Sequence, residues 1–157
     1  MKMIRLFATV LALAMTVSAC QLKEDEASAP PTDGPPPIPA PADVAAPPAD
    51  ALRTPSGIAS KMLIVGLGSI RPKATSKVTV HYTGWTTDGK MFDSSYLRGA
   101  PSTFSVDGVI PGWTEILQHM VVGEKRRVWI PANLAYESMP SRPQGMLVFE
   151  IELMDIR

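Results

Sequence analysis

One cysteine stands in 157 residues, Cys20, so no disulfide can form within the chain. Histidine is almost as scarce. His81 and His119 have neither a cysteine nor a second histidine close by, and two lone imidazoles do not make a zinc site. Neither a metal nor another cofactor is expected. The formal net charge is zero, and no basic block is long enough to suggest nucleic-acid binding. The densest cluster, Lys125-Arg126-Arg127, lies in a strand pattern and reads as a solvated edge. Methionines are too scattered for a metal-trafficking surface. No apolar run approaches the about 20 residues that a membrane-spanning helix requires.

The balanced charge conceals three unlike segments. Residues 1–19 carry only Lys2 and Arg5 before the apolar run Leu6 to Val17, followed by small residues, which is the pattern of a secretory signal. Val17-Ser18-Ala19-Cys20 resembles a bacterial lipobox, in which the cysteine becomes the lipidated first residue. Gln21 after it matches the pattern that goes with outer-membrane sorting. The expected location is therefore the bacterial envelope, on the periplasmic face of the outer membrane, with Cys20 as the lipid anchor. Residues 20–52 form the second segment. It holds nine of the sixteen prolines, one lysine against six acids, and no aromatic residue. Such a composition buries little apolar surface of its own and favours extended polyproline II. A disordered, flexible tether is expected there, and its removal should leave the rest of the chain unaffected.

From Arg53 the texture becomes that of a folded domain, 53–157. Val78, Val80 and Tyr82 alternate with Thr79, His81 and Thr83, the period-two mark of a half-buried strand. Asp88-Gly89 signals a hairpin turn, Met91-Phe92 opens a second strand, and Asp93-Ser94-Ser95 ends it. Further strands are expected over Lys61 to Val65, Thr103 to Val106, Glu124 to Ile130 and Met146 to Ile156. In the last, Leu147, Phe149, Ile151 and Leu153 face one way. Trp113, Ile116, Leu117 and Met120 fall at i, i+3, i+4 and i+7, one face of a helix begun by Pro111. The fold class is α+β, a twisted antiparallel β-sheet wrapped around one short α-helix.

Several separated motifs appear in a fixed order: His81-Tyr82-Thr83-Gly84, Asp88-Gly89, Phe92-Asp93-Ser94-Ser95, Val109-Ile110-Pro111-Gly112-Trp113, Val122-Gly123-Glu124, Ile130-Pro131 with Ala135-Tyr136, and Leu147 to Leu153. This series, over roughly Thr54 to Arg157, resembles the FKBP-type peptidyl-prolyl cis-trans isomerases. The resemblance implies a pocket with Tyr82, Phe92, Asp93, Trp113 and Tyr136 as its catalytic residues. Phe104, Val109, Ile110 and Phe149 would complete the substrate-binding wall, and Arg98 would pair with Asp93. Trp113 would be the floor, with the Tyr136 hydroxyl and the Ile110 N–H as donors to substrate carbonyls. Read without the resemblance, Trp113 and Phe149 are ordinary core aromatics and Asp93 caps a turn.

The implied activity is isomerisation of X-Pro bonds in envelope proteins, with proline-containing polypeptides as clients and FK506-like macrolides as possible ligands. A non-catalytic chaperone or peptide-binding module using the same groove is the alternative, and a purely structural envelope lipoprotein is a third reading. The pattern departs from the family at the pocket rim. Glu137 stands where glycine is usual, the Ser138–Gly145 loop is short, Ser102 replaces a frequent aromatic, and the turn at Asp107-Gly108 is tighter.

Overall fold

The computed structural model describes residues 34–157, which belong to one compact unit. The signal-like stretch, Cys20 and the first part of the proline-rich segment lie outside the described residues. Seven strands build one sheet: β1 (Leu52–Arg53), β2 (Ala59–Ile64), β3 (Lys77–Thr86), β4 (Met91–Ser94), β5 (Ser102–Ser105), β6 (Lys125–Ile130) and β7 (Leu147–Ile156). All pairings are antiparallel, in the order β1-β2-β6-β7-β3, and β3 is flanked on its far side by β4 at one end and β5 at the other. The single α-helix among the described residues, α1 (Pro111–Leu117), lies on one face.

Alternation along the strands divides the sheet into two unlike faces. Val78, Val80 and Tyr82 of β3 and Leu147, Phe149, Ile151 and Leu153 of β7 turn toward α1. They bury Trp113, Ile116 and Leu117 of the helix in the main core. The helix is shorter than the apolar spacing suggests and ends at Leu117. Met120 nevertheless stays fully buried, because the turn after the helix carries it into the same core. At the start of α1 a Cβ on Gly112 would sit 2.4 Å from Ile130, so only glycine lets the helix settle on β6.

The opposite face overturns the expectation of a free tether up to residue 52. One lateral row runs Trp85, Val148, Trp129, Ala59 across β3, β7, β6 and β2. The second half of the proline-rich segment covers this row. Val44 and Ala51 pack on Trp129, Val148 and Ala59, and both tryptophans are at most 2 % exposed. Trp85 Nε1 donates to the carbonyl of Ile38 (3.0 Å) and Trp129 Nε1 to that of Asp43 (3.1 Å). The Asp43 carboxylate pairs with Arg127, and Asp50 pairs with Lys61 at 3.3 Å.

The reason is physical. The segment has no aromatic residue of its own, but the sheet lends it two. A proline-rich chain keeps its carbonyl acceptors while lacking many N–H donors, so indole N–H groups, which only donate, match it. Residues 34–52 therefore belong to the same folded unit as residues 53–157.

Candidate active site

The spacing between the two central motifs is that of a clip. Ser95 Oγ accepts from Tyr82 N (2.8 Å), Ser95 N donates to Tyr82 O (2.9 Å), and the hydroxyls of Thr83 and Ser94 meet at 2.9 Å. Phe92 and Asp93 are thereby fixed against β3. Gly84 completes the arrangement, since a Cβ there would lie 2.7 Å from the Phe92 ring and 2.8 Å from that of Phe149. His81 points to the other face, bonded to Ser95 (2.9 Å) and stacked on Tyr96 with ring centroids 4.4 Å apart.

Trp113, at the start of α1, is the floor of a cavity of about 550 Å³. Three rings stand nearly perpendicular to its indole, with centroids at 5.0 Å for Tyr82, 5.8 Å for Phe104 and 5.4 Å for Phe149. Edge-to-face contacts of this kind set the negative face of one ring against the positive edge of another. They also leave little freedom to tilt. Val109, Ile110 and Ala135 add aliphatic wall. Ile110 caps α1, its carbonyl accepting from Trp113 N (2.9 Å) and Thr114 N (3.0 Å), so its own N–H is not used by the helix.

The polar edge is a three-residue cluster. Tyr82 donates its hydroxyl proton to Asp93 Oδ2 at 2.6 Å, and Arg98 Nη2 donates to the Tyr82 oxygen at 2.8 Å. Arg98 also pairs with Asp93, donates to Ser102 Oγ (3.2 Å), and lies over the Tyr82 ring at 5.4 Å. Ser102 thus serves as an acceptor for Arg98. Burial, and then the bond to Asp93, pushes the Tyr82 hydroxyl up to about 12. Arg98 is held above its ordinary value by its bonds to Asp93 and Tyr82. Burial likewise raises Tyr136, partly offset by Arg142. Both tyrosines remain neutral donors at physiological pH.

Residues 131–145 form the rim. Asn133, Glu137, Met139 and Arg142 reach the cavity, with the Arg142 guanidinium 5.5 Å above the Tyr136 ring. One side chain organises the loop: Gln144 Nε2 lies within hydrogen-bond distance of the carbonyls of Tyr136 (3.2 Å), Met139 (2.9 Å) and Arg142 (2.8 Å). Among the described residues no group of three or more His, Cys, Asp or Glu could hold a metal ion.

Of the residues singled out from sequence, Tyr82, Asp93, Phe104, Val109, Ile110, Trp113, Tyr136 and Phe149 line this cavity together. Phe92 and Arg98 do not. Phe92 packs edge-on against Phe149 at 5.5 Å, and Arg98 acts through Tyr82 and Asp93. Cys20 lies outside the described residues. Sequence reasoning missed Asn133, Met139, Arg142 and Gln144, which sit in a loop with no periodicity to mark them.

Comparison with known proteins agrees with this geometry. A model of the FKBP-type peptidyl-prolyl cis-trans isomerase domain matches residues 68–154, more than half of the chain. The chain is 48% identical over 109 residues to the FKBP-type 22 kDa peptidyl-prolyl cis-trans isomerase of Escherichia coli, covering 66% of this chain and 52% of that protein. It is 47% identical over 108 residues to the isomerase FkpA of Aeromonas hydrophila, covering 66% of this chain and 39% of the relative. Outer membrane protein MIP of Legionella longbeachae is 43% identical over 107 residues, or 66% of this chain and 46% of that one. The chain therefore spans about half, or less, of the length of these relatives. Among solved structures, a peptidyl-prolyl cis-trans isomerase of Pseudomonas syringae superposes with a TM-score of 0.63 at 39% identity. That match covers 69% of this chain and 82% of the other.

Proposed function

Since the chain belongs to the FKBP-type peptidyl-prolyl cis-trans isomerase family, we propose that it accelerates cis-trans isomerisation of X-Pro bonds in polypeptide clients. The observation that carries this reading is the aromatic box on Trp113, edged by the Tyr82–Asp93–Arg98 cluster.

Rotation about the X-Pro bond is opposed by amide resonance, with a barrier of roughly 18–20 kcal/mol. No bond is made or broken, so neither nucleophile nor proton shuttle is needed. The planar amide places partial negative charge on oxygen and positive charge on nitrogen, a separation that water stabilises. Moving the proline ring onto Trp113, between Tyr82, Phe104 and Phe149, removes that stabilisation and favours the twisted amide. The Ile110 N–H and the Tyr136 hydroxyl supply donors for the flanking carbonyls. Lowering the barrier by about 5–6 kcal/mol would speed the step roughly ten-thousandfold. Macrolides of the FK506 type would compete for the same box, with affinity set by the rim residues Glu137 and Arg142.

The envelope is the proposed location, supported by a relative named as an outer membrane protein and by the signal-like and lipobox-like stretch that ends at Cys20. In this reading Cys20 is acylated. Mass spectrometry of membrane-extracted protein should find the lipid, and Cys20→Ser should release the chain to the soluble fraction. An unmodified cysteine in the wild type refutes the anchor.

The activity is tested by protease-coupled isomerisation of short X-Pro peptides. Acceleration over the spontaneous tens-to-hundreds-of-seconds process, lost on Trp113→Ala in a chain that still unfolds cooperatively, is expected. No acceleration at micromolar protein would leave the cavity as a binding groove only.

A further inference from the structure

The turn after β2 sets an unusual row of side chains in solvent. Met62 and Ile64, at the end of β2 on either side of a register shift against β6, are 41% and 50% exposed. Val65, Leu67 and Ile70 follow at 71%, 99% and 71%. Isolated exposed apolar residues are ordinary, but five within nine positions are a concentration that calls for a partner. The loop is also held in place. Gly66 and Gly68 press against Val121, Val122 and Glu124 so closely that a Cβ on Gly66 would meet the Glu124 nitrogen at 2.7 Å, and Gly68 N donates to Val122 O (3.2 Å). Leu67 is carried outward between two anchored glycines.

The ionisable side chains that line the adjoining cleft are basic. The cleft is lined by Leu52, Arg53, Arg71, His119 and Arg126. Arg126 is matched by Glu124. Among the described residues Arg53, Arg71 and Lys73 have no carboxylate within 4.0 Å. Glu115, next to the cleft residue Ile116, accepts from Ser56.

We propose that this face docks on an anionic phospholipid surface, with Leu67 and Ile70 entering the headgroup boundary and Arg53, Arg71 and Lys73 meeting lipid phosphates. Charge and shape both select this occupant. A second copy placed face to face would set the unpaired arginines against each other. A peptide needs a concave seat, whereas Leu67 stands wholly clear of the surface, the form in which an apolar tip enters an interface. The proposal is independent of the isomerase reading, because none of these residues lines that cavity, and of any lipid on Cys20.

The test is co-sedimentation of the chain from Gln21 to Arg157, which lacks the cysteine, with phosphatidylcholine vesicles with and without phosphatidylglycerol. Binding is expected only with phosphatidylglycerol and should weaken as salt is raised. Leu67→Ser with Ile70→Ser should abolish it. Arg71→Gln with Lys73→Gln should weaken it at least tenfold, on the basis of about fivefold per cation. An unchanged thermal midpoint shows that both variants fold. The proposal falls if the wild type does not bind these vesicles or if both double variants bind as well as wild type. It falls equally if Leu67→Ser with Ile70→Ser turns a dimer into a monomer while vesicle binding persists, which would make a second copy the occupant.

Discussion

Trp129 donates its indole N–H to the carbonyl of Asp43, 86 positions earlier in the chain, and so ties a proline-rich strap to the outer face of the sheet. Trp85 repeats the contact at Ile38. Each bond should contribute about 1 kcal/mol net. Trp129→Phe is therefore expected to lower the thermal midpoint by about 3–6 °C. A chain begun at Arg53 should lose more, since it also uncovers Val148 and Ala59. Thermal unfolding monitored by circular dichroism checks both, and equal midpoints for the chains begun at Gln21 and at Arg53 would contradict the strap.

The strands and the helix were legible because their cause is local. Alternation in Val78 to Thr83 and Leu147 to Leu153, and the spacing of Trp113, Ile116 and Leu117, encode which side is buried. The cavity wall was legible only through the ordered motifs, which place Tyr82, Asp93, Trp113 and Phe149 without any local rule that would bring them together. The strap was not legible. Its stability resides in Trp85 and Trp129, far away in sequence, so the composition of residues 34–52 carries no sign of it. Phe92 marks another limit: its motif neighbours it to Asp93, but close packing through Gly84 turns it onto Phe149 rather than the cavity.

The Tyr82 hydroxyl predicts an alkaline weakness. Its value is raised from 10.0 to about 12 in the folded chain. Between those limits the unfolded chain has released the proton and the folded chain retains it, so stability falls as pH rises. The contribution is complete below about pH 10 and is lost by about pH 12. Tyr82→Phe, which has no proton to lose, should unfold in urea with a shallower pH dependence over that window. Parallel curves for variant and wild type would remove this role.

Gln144 should matter for the client more than for the fold. Its amide nitrogen lies within hydrogen-bond distance of three carbonyls of the rim loop, and the side chain is exposed. Gln144→Ala should free the loop that carries Arg142 and Met139, raising KM about three- to tenfold while kcat changes less than twofold. That corresponds to about 0.7–1.4 kcal/mol of binding. A thermal midpoint within about 2 °C of wild type is expected, because the loop is exposed. A fall in kcat with KM unchanged would assign Gln144 to the chemistry instead.

If dryness and orientation carry catalysis, shape should matter more than ionisation. Phe104 lines the cavity and touches Trp113 edge-on, so Phe104→Ala admits water and should lower kcat/KM well beyond tenfold. Asp93→Asn keeps the shape of the polar edge and an acceptor for Tyr82. Its loss should stay within about tenfold, or 1.4 kcal/mol. The rate should also be flat between about pH 6 and 8, where histidine is the side chain that ordinarily titrates. No histidine lines the cavity, and the two tyrosines that do are both pushed upward by burial. A bell-shaped profile, or Asp93→Asn abolishing the rate while Phe104→Ala spares it, would show a proton moving in the transition state. The desolvation mechanism would then fail even though the fold and the cavity stand.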